Sequence, residues 1–200
     1  MTQIIGLTGG IASGKTTVSE YFKQRQLPVI DADQVARDVV KPEQPALKEI
    51  VAIFGEKILT KDGELNRSKL GQIIFNEPEA RQKVNDIMHP YILQKIKSML
   101  GMLSANGEPL VILDVPLLFE SASFYALCDE TIVVWVPRET QLNRLKARNH
   151  YSDDEAEARI ASQWPLDKKR LMADSVFDNS TTKESLYQQI DDWLASHMNI

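Results

Sequence analysis

The chain has 200 residues, 43% of them hydrophobic, and a formal net charge of -5. That is enough for one sizeable core with a small inserted subdomain, and it has the wrong sign for general affinity to nucleic-acid backbones. A single cysteine, Cys128, excludes an internal disulfide or a cysteine metal cluster and reads as a small core-facing residue. With no run of eighteen apolar residues and no basic segment leading into an apolar signal stretch, a soluble cytoplasmic protein without a membrane partner is expected.

In chain order, Ile4 to Leu7 reads as a buried strand and Thr17 to Gln26 as a helix with Val18, Tyr21 and Phe22 on one face. Between them, Gly9, Gly10, Ile11, Ala12, Ser13, Gly14, Lys15 and Thr16 match the phosphate-loop pattern G-x-x-x-x-G-K-[ST]. Strand before and helix after are the context this loop requires. Its glycines let amide N–H groups surround phosphate oxygens, and the helix turns its positive end toward the same place. Lys15 adds a point charge, and the Thr16 hydroxyl is a ligand for Mg²⁺. A nucleoside triphosphate is the implied ligand.

Further strands are read at Pro28 to Asp31, Leu110 to Asp114, Thr131 to Val136 and Ser175 to Asp178, alternating with helical patterns. This predicts a five-stranded parallel α/β sheet of the P-loop type. Between Ala32 and Asn106 helical patterns are broken only by turn signals, Lys61-Asp62-Gly63 and Asn76-Glu77-Pro78. Too long for a simple crossover, this stretch is expected to be a helical subdomain that holds an acceptor. Ser152-Asp153-Asp154-Glu155 and Thr181-Thr182-Lys183-Glu184 both have capping-box spacing at helix starts.

Parallel sheets bind ligands beyond the carboxyl ends of their strands. The acids there are Asp31 and Asp33 after the second strand and Asp114 at the end of the third. Asp33 best suits a base that accepts the proton of an attacking hydroxyl, with a helix N-cap as the alternative for either residue of the pair. Asp114 reads as a ligand of Mg²⁺-bound water or as an ordinary strand-end turn. Arg138, Arg144, Lys146 and Arg148 follow the fourth strand, with Arg144 and Arg148 on one helical face. They form either a lid that clamps the transferring phosphoryl group or a solvated charged face. Arg159, Lys168, Lys169 and Arg170 are interleaved with acids and read as a solvated face. His89-Pro90 lacks a second histidine nearby, so a metal site has little support; the proline is expected to start a new helical turn, with the imidazole capping it or contacting substrate.

The ordered motifs resemble the dephospho-CoA kinase family over nearly the whole chain. They are the glycine-rich loop, Asp31-Ala32-Asp33 with Ala36-Arg37, Asp62-Gly63-Glu64-Leu65-Asn66-Arg67, His89-Pro90 and Asp114-Val115-Pro116-Leu117-Leu118-Phe119-Glu120. Gln141, Arg144-Leu145, Arg148, Gln163, Lys169, Ala173-Asp174 and Asp178-Asn179 complete the set. The resemblance implies transfer of a phosphoryl group from ATP to the ribose 3′-hydroxyl of dephospho-CoA, the last step of coenzyme A biosynthesis. It also implies Asp33 as base, Lys15 and the loop amides on ATP, Arg144 and Arg148 in a lid at about residues 138–173, and Asn179 near the adenine. The core would comprise about residues 1–31, 107–137 and 174–200, and the acceptor subdomain about 32–106, within one kinase domain.

Ala12 departs from the family's usual glycine and would strain the loop if its φ were positive. Thr16 replaces a commoner serine and keeps the hydroxyl. Another small-molecule or nucleoside monophosphate kinase shares the loop, sheet and lid. A guanine-nucleotide switch is disfavoured, since no Asn-Lys-x-Asp occurs and Asp114 is followed by Val-Pro-Leu. The residues carry no signature of oligomeric state.

Overall fold

The computed structural model describes residues 2–198. Strands β1 (Gln3–Gly9), β2 (Val29–Asp31), β3 (Leu110–Asp114), β4 (Glu130–Trp135) and β5 (Ser175–Asp178) form a parallel sheet in the order β2-β3-β1-β4-β5. Central β1 pairs with β3 through Leu7↔Asp114 and with β4 through Gly9↔Val134, so the carboxyl ends of these strands share one edge of the sheet. Strands buried on both faces explain the unbroken apolar runs of the sequence.

On one face, Ile5, Leu7, Leu110, Ile112, Ile132 and Val134 pack against helices α1 (Lys15–Gln24) and α10 (Lys183–His197). Val18 and Phe22 supply the contact from α1, and Leu186, Ile190 and Trp193 from α10. Full burial of each such side chain contributes roughly 1.5–3 kcal/mol, so α1, which begins at the end of the glycine-rich turn, is firmly anchored. The other face carries Val133 and Val136 with Phe119 and Leu166. Helix α6 (Ala122–Tyr125) joins β3 to β4, and α7 (Arg138–Asn149), α8 (Asp153–Ala161) and α9 (Leu166–Met172) lie between β4 and β5.

The chain divides into two compact units: residues up to Ile30 together with Leu103 onward, and Asp31–Met102. The second unit is helical, with α2 (Ala32–Asp38), α3 (Pro45–Phe54), a 3₁₀ turn Glu56–Ile58, α4 (Arg67–Asn76) and most of α5 (Pro78–Ala105). It also contains an isolated β-bridge, Leu59↔Leu65, that flanks a turn with Gly63 at φ 76°. Asn66 caps α4, its Oδ1 accepting from the Lys69 N–H at 3.0 Å. Among the described residues no helix is long and apolar enough to cross a membrane.

Two local expectations are corrected. Pro90 starts no new helix: it lies inside the 28-residue α5, exposed, at the cost of one helical hydrogen bond. His89 is therefore a mid-helix, half-buried residue and not a cap. At α10 the N-cap is Thr182, whose hydroxyl accepts from the Ser185 N–H at 3.2 Å, one residue later than the Thr181–Glu184 spacing suggested. At α8 the capping box forms as read, between Ser152 and Glu155.

Cys128 backs against the middle of β1. A Cβ on Gly6 would lie 2.7 Å from its Sγ and 2.6 Å from Leu118 Cδ2, so glycine there permits the close approach. Burial, reinforced by Asp129, pushes the thiol up to about 12. At pH 8 the native protein is therefore expected to react with a disulfide reagent at least tenfold more slowly than the urea-unfolded chain; equal rates would contradict this packing.

Candidate active site

Between Gly9 and Lys15 the backbone makes one tight turn, closed by the Ser13 N–H donating to the Gly10 carbonyl at 3.1 Å. Gly14 adopts φ 92° as the residue that leads into α1, whose first amides have no acceptor within the helix. Glycine is required there twice over: the angle is left-handed, and a Cβ would sit 2.1 Å from Asn179 Nδ2. Ala12 has φ 59°, so the condition for strain is met. A left-handed alanine costs about 1–2 kcal/mol. Its methyl group offsets part of this by packing, with Ile11, against Leu145, Ala156 and Ile160 of the α7–α8 pair.

Side chains from distant elements hold the turn. Gln141 of α7 donates through Nε2 to the Ile11 carbonyl at 2.8 Å, and Gln163 accepts the Ile11 N–H through Oε1 at 2.9 Å. Asn179, just past β5, donates through Nδ2 to the Ser13 carbonyl at 2.8 Å. Each such bond adds on the order of 1 kcal/mol, and losing one partner of a buried pair costs more. Together they hold the Ile11 peptide and the Ser13 carbonyl on the protein side of the turn.

The charges follow from the same frame. Lys15 Nζ pairs with the Asp114 carboxylate, whose side chain is 5% exposed. Arg144 donates through Nη2 to the Asn179 carbonyl at 3.0 Å, and its Nη1 lies 4.0 Å from where a Gly14 Cβ would stand. The structure thus brings Lys15, Asp114, Arg144 and Asn179 to the glycine-rich turn. Arg148, one turn along α7, is exposed and bonds Asn149 Oδ1 at 2.9 Å. Thr16 stands exposed on the first turn of α1. In the helical unit, Asp31 is the N-cap of α2, its Oδ1 accepting from the Asp33 and Gln34 N–H groups at 2.9 and 3.1 Å. That occupies Asp31 and leaves Asp33, exposed on the first turn, as the carboxylate without a capping role.

A family model described as dephospho-CoA kinase matches residues 3–185. The chain belongs to the dephospho-CoA kinase family. It is 49% identical over 187 residues to the dephospho-CoA kinase of Carboxydothermus hydrogenoformans, covering 94% of this chain and 90% of that one. The structure of dephospho-CoA kinase from Campylobacter jejuni superposes with a TM-score of 0.77 at 28% identity, over 100% and 99% of the two chains. Shikimate kinase from Bacteroides thetaiotaomicron shares the fold, with a TM-score of 0.54 at 17% identity over the full length of both. The chain is therefore a P-loop kinase, a phosphotransferase that uses ATP, by membership of this family.

In this member of the family, Lys169 does not lie on a solvated face. It is completely buried, 2.9 Å from Glu120 Oε1, and burial lowers its pKa against the opposing pull of Glu120. The signal in the sequence is periodic: Lys169 lies three residues after buried Leu166, on the inner stripe of α9, as Gln141 lies four before Leu145 on α7. By contrast, Arg159, Lys168 and Arg170 stack over Tyr151, Trp164 and Trp135.

Gly14→Ala is expected to lower stability by about 2 kcal/mol, from a left-handed alanine plus the lost Asn179 bond, and to weaken ATP binding more than tenfold. Thermal melting and nucleotide titration check this. Parent-like values in both would contradict the geometry described for the turn.

Proposed function

We propose that this protein transfers the γ-phosphoryl group of ATP to the ribose 3′-hydroxyl of dephospho-CoA, forming coenzyme A by direct in-line displacement. The observation that carries this reading is the convergence of Lys15, Arg144 and the amino end of α1 on Gly14, in a chain of this family. The amides of Ala12, Gly14, Lys15 and Thr16 bind the phosphate oxygens, and Lys15 exchanges its contact with Asp114 for the triphosphate. Arg144 and Arg148 neutralise charge that spreads over the moving phosphoryl oxygens. Residues 138–173 act as the lid that carries them, and the helical unit binds the acceptor. Asn179 and its neighbours lie by the adenine.

Asp33 takes the proton of the 3′-hydroxyl as it attacks. Mg²⁺ fits the donor set: Thr16 offers a hydroxyl, Asp114 a carboxylate, and no cluster of three His, Cys, Asp or Glu occurs among the described residues. A site with so few protein oxygens is the kind that Mg²⁺ completes with water and substrate phosphates. When bound, it supplies charge neutralisation on the phosphate oxygens. The acidic balance of the chain supports a small-molecule acceptor over a nucleic-acid ligand, and the enzyme is placed in the cytoplasm, where the family's substrates are met.

Incubation with Mg-ATP and dephospho-CoA, shikimate or nucleoside monophosphates tests the reading, with mass analysis to locate the added phosphate. Phosphate on the ribose 3′ position of dephospho-CoA supports it, and preference for another acceptor refutes it. Asp33→Asn is expected to reduce turnover by at least a hundredfold, the scale of a lost general base, with ATP affinity within about threefold of the parent. Lys15→Ala should lose both affinity and rate. Normal turnover in the Asp33 variant removes that residue from the base role.

A further inference from the structure

Behind the phosphate-binding turn lies a buried ion pair that the reading above does not use. Lys169 is completely buried on α9, and its ammonium has three acceptors: Glu120 Oε1 at 2.9 Å, the Pro116 carbonyl at 3.0 Å and the Gly9 carbonyl at 3.4 Å. Glu120 Oε1 also accepts the Trp164 N–H at 3.1 Å, while Oε2 is buried with no hydrogen-bond partner among the described residues. Thr8, next to Gly9, donates its hydroxyl to the same Pro116 carbonyl at 3.0 Å.

The three segments joined here are the ones whose mutual placement matters most. Gly9 is where β1 gives way to the turn, Pro116 lies two residues past Asp114, and α9 belongs to the helices that follow β4. A buried ion pair is a poor way to stabilise a fold, because desolvation offsets most of the attraction and apolar residues of similar volume do as well. An ammonium with three acceptors from separate segments does something an apolar side chain cannot. It fixes two carbonyls at a set distance.

We propose that Lys169 is a positioning residue for phosphoryl transfer, clamping the Gly9 and Pro116 carbonyls so that the phosphate-binding turn and the Asp114 carboxylate keep their register. The assignment rests on the kinase reading above. Because Lys169 and Glu120 together carry no net charge, and because Gln141, Gln163 and Asn179 hold the rest of the turn, removing the pair leaves ATP binding nearly intact. What it loses is alignment in the transition state, which is read in kcat and not in KM.

The test compares the parent protein with Lys169→Met combined with Glu120→Gln, which leaves no unpaired buried charge. Melting temperature and steady-state kinetics with Mg-ATP and dephospho-CoA are measured. The double variant is expected to melt within a few degrees of the parent, with KM for ATP within threefold and kcat at least tenfold lower. Parent-like kcat in the double variant, or a loss confined to melting temperature, overturns the proposal. If the parent itself does not phosphorylate dephospho-CoA, the kinase reading fails and not the clamp.

Discussion

A backbone turn that directs its amides inward must turn carbonyls outward, into protein, where each needs a donor or costs a desolvation penalty. That requirement organises the region around Gly9–Thr16. The Gly9 carbonyl is met by Lys169, the Ile11 carbonyl by Gln141 and the Ser13 carbonyl by Asn179. These donors come from α9, α7 and the end of β5, so the anion-binding side of the turn is shaped by elements more than a hundred residues away in sequence.

Helix α7 also brings a cation to the turn. Gln141 and Arg144 are three residues apart on α7: one holds the turn, and the other reaches the Asn179 carbonyl beside Gly14. Leu145 anchors that helix against Ala156 and Ile160, with Ile11 and Ala12 packed on the cluster. An arginine held this way is preorganised by its neighbours, which is what the role proposed for it in phosphoryl transfer requires. The strain at Ala12 belongs to the same arrangement, since its methyl group sits on the helices that hold the turn.

The sheet, the turn and the acids after the strands were legible because each rests on local pattern. An unbroken apolar run marked β3 and the alternation of strand with helix marked β5, both to the residue, while strand, glycine spacing and helix marked the phosphate loop. The cap of α2 was readable as one of two alternatives for Asp31 and Asp33, and the Asx geometry assigned it to Asp31. At Lys169 the place on an apolar stripe outweighs the charge that suggests a solvated face. The partners of Gln141, Gln163 and Asn179 could not be read from spacing at all, since their contacts span up to 166 residues and depend on how α7, the α8–α9 connection and the end of β5 close around the turn. At Pro90 proline's preference for a first turn yields to a long helix that exposes it.

The central claim is that the protein's own side chains, and not the bound nucleotide, set the shape of the phosphate-binding turn. Crystal structures determined without nucleotide and with Mg-ATP test it most directly. Residues 9–16 should superpose within about 1 Å, the range of preorganised sites, with the Gln141, Gln163 and Asn179 bonds kept and only Lys15 moving from Asp114 to phosphate. A turn that is rearranged in the free protein, or that loses those three bonds on binding, would contradict it.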